Sequence, residues 1–353
     1  MSIQEFDIHQ FNDLNFLRLA LLGHSIYSGR EIADADYLSW EYARNPNGMA
    51  QVFIAEVSGS LAAQYIVIPV NFLIAGKEII GSLSVNTLTH PAYKGNDLFP
   101  KLATETFKTC PDKGIHFTIG FPNPVSLPII EKKKIFKIVG TLPLLIKPLN
   151  PFRAFFLSLF SFSKKSGKEI ELEIEDDFLN ENGISFFDFE ADRTQYNKFI
   201  SDFSASKENI TIRSPEYLRW RYSSIPIRKY RLLKICKEDK IMALAIFRAK
   251  YIYGIRCGIL VDFISLPEED HAFRLLHSIK QIARKNSLDI LIATLPDHVP
   301  EFKFFIRSGY FSLPQKLLPQ KLTMIVKAHT NDCPAEVSDF KKWFITFGDY
   351  DIF

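Results

Sequence analysis

The chain of 353 residues is 47% hydrophobic and 24% charged, and its 43 basic and 40 acidic residues leave a net charge of +3. That composition suits two packed cores and excludes disordered and fibrous classes, while the near balance of charge gives no global field for a nucleic-acid partner. Cys110, Cys236, Cys257 and Cys333 form no Cys-x-x-Cys pair, which argues against a metal site or a disulfide framework and for a reduced, cytoplasmic protein. Met1 to Glu5 shows no basic stretch leading into an apolar one, so no export signal is expected.

Hydrophobic periodicity predicts a helix over Phe11 to Ala20, strands over Gln51 to Val57 and Ala62 to Val70 joined at Ser58-Gly59-Ser60, and a β-branched strand over Ile79 to Thr89. Leu98 to Thr109 carries apolar residues at 98, 99, 102, 103 and 107, a helical stripe. A strand over Gly114 to Phe121, a short helix over Pro128 to Lys134 and a returning strand over Phe136 to Leu145 follow. The Phe-rich stretch from Leu142 to Phe162 is interrupted by Lys147, Arg153 and three prolines, too broken for the ~20 apolar residues of a membrane span. It reads as a packed linker, with a membrane-surface helix over 152–162 as the alternative. The second half predicts a helix near Tyr196 to Phe203 and strands over Tyr230 to Ile235, Met242 to Arg248 and Gly258 to Ile264. After them come a helix over Ala272 to Lys285, a strand over Leu288 to Leu295, a helix over Pro300 to Ser308 and a tail strand over Leu322 to Lys327.

The two halves repeat one another. Tyr37-Leu38-Ser39-Trp40-Glu41-Tyr42, with Pro46 beyond it, returns 180 residues later as Tyr217-Leu218-Arg219-Trp220-Arg221-Tyr222, with Pro226. Phe6-Asp7 answers Phe187-Asp188, and Phe121-Pro122 and Phe136 answer Leu295-Pro296 and Tyr310 at an offset of 174, so the second copy is shorter by six residues. A period this long is a duplicated domain rather than a solenoid. The expected organisation is a pseudo-dimer in one chain: residues 1–148, an apolar linker 149–180, and residues 181–353. Trp40, Tyr42, Trp220 and Tyr222 recur in both halves and are expected to be structural.

The segment with the most chemical content is Thr89-His90-Pro91-Ala92-Tyr93-Lys94-Gly95-Asn96-Asp97-Leu98-Phe99, a strand end turning through Gly95 into a helix. The unpaired amides and positive dipole end of such a helix favour a phosphate, and Lys94 adds a full charge. The counterpart Pro267-Glu268-Glu269-Asp270-His271 has no glycine and three carboxylates, which repel an anion. Cys110 reads as a buried thiol, and His90 and His116 as turn or packing residues. Glu131-Lys132-Lys133-Lys134 has the form of a solvated charge run.

This loop, together with Gly120-Phe121-Pro122-Asn123 and the Lys133 to Phe136 corner, resembles the acyl-CoA loop of the GNAT superfamily of N-acetyltransferases. The ending Trp343 to Asp351 resembles double-domain members associated with bacterial polysaccharide synthesis. The resemblance implies an α/β fold with mixed sheets, two tandem GNAT-like lobes, and acetyl-CoA as co-substrate in the first. It implies cofactor contacts from Leu88, Thr89, Lys94, Gly95, Asn96, Asp97, Leu98 and Phe99, with the backbone of Leu88 and Thr89 at the pantetheine. Asp97 and Phe99 stand where the family carries small residues. Asp97 is expected to cap the helix beginning at Leu98. Asn123 is expected to line the opening between the parted strands, and Glu131 stands where the family often has a tyrosine acid. The activity implied is N-acylation of an amine on a small acceptor such as a nucleotide-linked amino sugar, by a monomer or homodimer with acceptor contacts from both lobes. Two further readings are a cofactor-free tandem scaffold and a FemABX-like aminoacyl transferase; the second would want a basic groove that the chain does not show.

Overall fold

The structure, a computed structural model, describes residues 5–27, 29–150, 167–318 and 320–350. The expected surface helix over 152–162 lies outside the described residues. Contacts divide the chain into two units, the first made of Met1–Gly140, Glu216–Ile227 and Thr323–Phe340, the second of Thr141–Pro215, Arg228–Leu322 and Lys341–Phe353.

In the first unit, strand β1 (Asp7–Gln10) precedes helices α1 (Leu17–Ile26) and α2 (Ala35–Ala43). The strands β2 (Gln51–Val57), β3 (Ser60–Ile74) and β4 (Lys77–Thr89) form an antiparallel meander, and α3 (Leu98–Thr109) crosses to β5 (Phe117–Gly120), which lies parallel to β4. Helix α4 (Ser126–Lys133) and strand β6 (Lys137–Leu142) complete the first half. α3 buries Leu98, Phe99, Leu102, Ala103 and Thr106, one face of a helix with a 3.6-residue period. That face meets Phe53, Ala55, Ala63, Tyr65 and Val67 of the meander together with Ile115, Ile130 and Phe136.

The helix predicted over Phe11 to Ala20 begins later. Asp13 Oδ1 accepts from the Asn15 amide at 2.8 Å and Asn15 Oδ1 from the Leu17 amide at 3.1 Å, so Asx-type side-chain bonds hold the chain out of the helix until Leu17. The returning strand predicted over Phe136 to Leu145 is two strands: β6, and β7 (Leu144–Pro148), which enters the sheet of the second unit. Pro143 separates them.

The second unit holds β8 (Glu169–Ile170), β9 (Ile184–Phe186), β10 (Asn209–Thr211), β11 (Arg231–Lys237), β12 (Lys240–Ile252), β13 (Ile255–Ser265), β14 (Ile290–Thr294) and β15 (Phe311–Leu313). A helix Glu269–Lys285 connects β13 to the parallel β14, as α3 connects β4 to β5. Its sheet runs β15-β7-β14-β13-β12-β11-β9. In the first unit the order is β1-β2-β3-β4-β5-β16-β6, where β16 (Leu322–Ala328) comes from the far end of the chain. Each half therefore hands one strand to the other half's sheet, at matching places, and the units are not the contiguous spans 1–148 and 181–353. A last short strand, β17 (Trp343–Phe344), runs parallel to β10.

The repeated hexapeptides meet inside the first unit. The rings of Trp40 and Trp220 stack with centroids 5.0 Å apart at 19°. The Trp40 indole N–H donates to the Trp220 carbonyl at 2.8 Å, and the Trp220 indole returns the bond to the Trp40 carbonyl at 3.0 Å. Tyr37 and Tyr217 lie tilted at 49° against their own tryptophans. The symmetry of the pair supports the duplication and the structural role expected of these residues.

Candidate active site

The site is built where β4 parts from β5 while staying paired with β3. β4 pairs with β5 only at Ser82–Thr118, Leu83–Ile119 and Ser84–Gly120. β5 then ends at Gly120, and Phe121-Pro122 follow, the proline having no amide to give. Gly120 lets the strands pack closely at this fork: a Cβ there would stand 3.3 Å from Ser84 Cβ and 3.4 Å from Ile325, so its neighbours would have to give slightly. On the other side, β3 pairs Gln64 with Leu88 but Ile66 with Val85, so β4 carries one extra residue. This is a β-bulge. Asn86 sits in it with φ of 46°, and its side-chain amide donates to Glu41 Oε2 at 2.6 Å and to the Tyr42 hydroxyl at 2.8 Å. Gln64 Nε2 donates to the Asn86 carbonyl at 3.0 Å. The bulge re-aims the last residues of β4, Leu88 and Thr89, beyond the end of β5 pairing.

The sequence reasoning missed Asn86 and its partners. The available signal was Glu41 between Trp40 and Tyr42, a carboxylate on a helix whose neighbours Tyr37, Leu38, Trp40 and Tyr42 are all buried; such a group needs a polar partner. Asn86, the one amide side chain of β4, is such a partner.

Past Thr89, His90 Nδ1 accepts from the Ala92 amide at 3.3 Å, opening a single 3-10 turn over Pro91–Tyr93. Gly95, at φ of 89°, and Asp97, at φ of 54°, are both left-handed, and Asn96 Nδ2 donates to the Tyr93 carbonyl at 3.0 Å. Lys94 is exposed. The expected cap is not made: no side chain caps α3. An N-cap carboxylate reaches the next amides from an extended backbone, and Asp97 is left-handed. Its carboxylate instead meets Lys133 Nζ at 2.5 Å, and this bond, with Lys101 and Lys132 nearby, holds its pKa below the usual carboxylate value. Pro100 has no amide and that of Lys101 donates to the Asp97 carbonyl at 3.2 Å, so the amides of Leu98 and Phe99 are the ones left with neither a helical nor a side-chain acceptor, the state in which they can bind an anion. Phe99 does not fill that space, since its ring lies in the core 5.7 Å from that of Tyr65.

Asn123 lies just beyond the fork, and its Oδ1 accepts from the amides of Val125 and Ser126, both at 2.9 Å. It fixes the start of α4. Glu131 is exposed on the last turns of that helix. His116 is half-buried near Thr330 and Asp332. Cys110 is buried, and desolvation pushes its thiol up to about 12, as expected of a packing residue.

The corresponding helix start in the second unit is closed by charge. Glu269 is bound by Lys303 at 2.9 Å and Arg307 at 2.6 Å, and Glu268 by Lys237 at 3.2 Å. The bulge recurs between Ile246 and Phe247 of β12 and their partners Asp262 and Leu260. Asp262 is buried there with Arg213, which also reaches Asp349 at 3.0 Å, while Thr346 Oγ1 donates to Asp262 at 3.0 Å. One cluster of potential metal-binding type is found among the described residues, Asp7, His9 and Glu56 with ligand atoms within 4.8 Å; Arg18 already pairs with Glu56.

The family model described as Acetyltransferase (GNAT) domain matches residues 3–133. The match covers the segment with the parallel crossover. It contains the fork, the bulge and the loop into α3. Among curated proteins there is no match. Among solved structures, the chain is similar to Saccharomyces cerevisiae N-myristoyltransferase with bound myristoyl-CoA, at 14% identity and a TM-score of 0.62, over 92% of this chain and 83% of that one. It is similar to a GCN5-related N-acetyltransferase from Anabaena variabilis, at 10% identity and a TM-score of 0.62, over 92% and 73%. An Enterococcus faecalis protein described as a probable N-acyltransferase aligns at 10% identity and a TM-score of 0.61, over 92% and 72%. At these identities the likeness is one of fold, and it spans both units.

Proposed function

We propose that the chain is an acyl-CoA-dependent N-acyltransferase whose co-substrate lies along the end of β4 and the start of α3. The observation that carries this reading is the parting of β4 from β5 after Ser84 together with the bulge at Asn86, which leave Leu88 and Thr89 without a partner on β5 in the strand that leads through the Gly95 turn to the uncapped start of α3. Thioester and pantetheine need backbone partners on a strand that its neighbour has released, and the phosphates need a helix start. Asn123 acts by fixing α4, and Glu131 is the carboxyl that α4 offers as acid. The acyl group is acetyl and the acceptor a small amine such as a nucleotide-linked amino sugar, in the cytoplasm and in service of polysaccharide synthesis. The support for that finer reading is the near-neutral charge and the resemblance of the C-terminal segment.

Isothermal titration with acetyl-CoA tests the core of the proposal. One site is expected, weakened by Lys94→Ala and indifferent to Glu268→Gln; no heat at millimolar ligand would refute it. Parallel titration with myristoyl-CoA reads the acyl length. CoA release from a panel of amino sugars, nucleotide amino sugars, amino acids and lysine peptides reads the acceptor, and turnover on lysine peptides alone would overturn the acceptor assignment. Glu131→Gln is expected to lower kcat; an unchanged kcat would dismiss Glu131.

A further inference from the structure

Within the described residues, the two helix starts differ in how their charge is balanced. In the second unit the carboxylates Glu268 and Glu269 face the cations Lys237, Lys303 and Arg307. In the first, one carboxylate, Asp97, lies in the field of Lys101, Lys132 and Lys133. Lys133, in the last turn of α4, meets Asp97 at 2.5 Å, and the side chains stay 37% and 52% exposed. A pair so wet is weak and open to exchange. A phosphate carries more charge and more acceptor oxygens than a carboxylate, and the α3 amides beside Asp97 favour it further.

Resting on the acyl-CoA reading above, we propose that Lys133 is a phosphate-binding residue held in reserve by Asp97, and that a CoA phosphate displaces the carboxylate as its partner. Asp97 sets the affinity from inside the site, competing with the nucleotide for one ammonium group. This makes co-substrate binding weaker than the lysines alone would allow and dependent on the number of phosphates the ligand carries.

The test is calorimetry of the full chain with CoA, dephospho-CoA and pantetheine, using wild type, Asp97→Asn, Lys133→Met, Lys133→Arg and the double variant Asp97→Asn/Lys133→Met. Both positions are exposed, and Asn tolerates the left-handed backbone that Asp97 occupies, so circular dichroism should show native spectra throughout. Lys133→Met is expected to weaken CoA about tenfold, the loss of one charge-assisted bond, and Lys133→Arg to restore most of it. Asp97→Asn is expected to tighten CoA several-fold, and Lys133→Met to cost more in that background than alone, because no carboxylate competes. Pantetheine affinity should not move. A loss shared by CoA and dephospho-CoA places the pyrophosphate at Lys133; a loss confined to CoA places the 3′-phosphate there. Wild type that binds CoA while Lys133→Met leaves its affinity unchanged, or Asp97→Asn that weakens it, overturns the inference and spares the functional reading. Wild type that binds no CoA removes both.

Discussion

Replacing either tryptophan of the stacked pair tests the duplication as physics. Trp40 is fully buried and Trp220 is 4% exposed, and each indole N–H serves the other residue's carbonyl at 2.8 and 3.0 Å. Trp→Phe keeps a ring to stack but deletes one bond and strands a buried carbonyl, which costs about 1–3 kcal/mol. The smaller ring leaves a void that adds roughly 1 kcal/mol. Each single variant should therefore lose about 2–4 kcal/mol, and the two losses should match because the contacts are reciprocal. In the double variant the stacking geometry is already released, so the losses should fall short of additivity by roughly 0.5–3 kcal/mol. Urea unfolding followed by circular dichroism reads this without depending on indole fluorescence. Losses under 0.5 kcal/mol, unequal by more than 1 kcal/mol, or strictly additive would refute the reasoning.

His329 lies between Thr118, whose hydroxyl is 2.7 Å from its Nε2, and the ring of Phe107, and burial pulls its pKa down to about 4. The fold holds the neutral ring, so stability should fall as pH drops from about 6.5, where the unfolded chain takes the proton, and level off near 4, a loss of roughly 3 kcal/mol. His329→Gln should flatten that limb in a urea-midpoint series across pH, and an unchanged slope would count against it. Arg213→Met leaves Asp262 and Asp349 buried without their cation and should cost about 3–5 kcal/mol by chemical unfolding; a loss below 1 kcal/mol would show that the carboxylates share a proton without it. Gly95→Val meets no neighbour within 4 Å but must adopt φ of 89°, so it should cost about 1–2 kcal/mol and weaken CoA. Gly95→Asn should fare better in both assays, and equal behaviour would point to sterics rather than backbone.

The meander, the α3 stripe and the glycine turn into α3 were legible in the sequence, because each is a local pattern of period two or 3.6 closed by a turn residue. The start of α1 was misplaced because the Asx bonds of Asp13 and Asn15 are invisible to periodicity. The bulge was hidden for a related reason: one extra residue in a thirteen-residue strand barely disturbs its alternation. At the site, the loop was found but the use of Asp97 was not, since only folding brings Lys133 across 36 residues of chain to meet it. Asn123 looked chemical by its position after the strand, whereas its Oδ1 serves the backbone of α4. The exchange of β7 and β16 could not be read at all; each looks like a strand, and nothing nearby says whose sheet it joins.

That exchange sets the order in which the chain can mature. Val326 of β16 pairs with Ile119 of β5, so the sheet carrying the loop into α3 keeps an open edge beside β5 until the ribosome has made Leu322–Ala328. Non-local closure of this kind is slow, and an unpaired strand edge is a template for aggregation in the interval. Severing the chain in the linker should accordingly yield two fragments that are insoluble apart and soluble when co-expressed, each supplying the strand the other lacks.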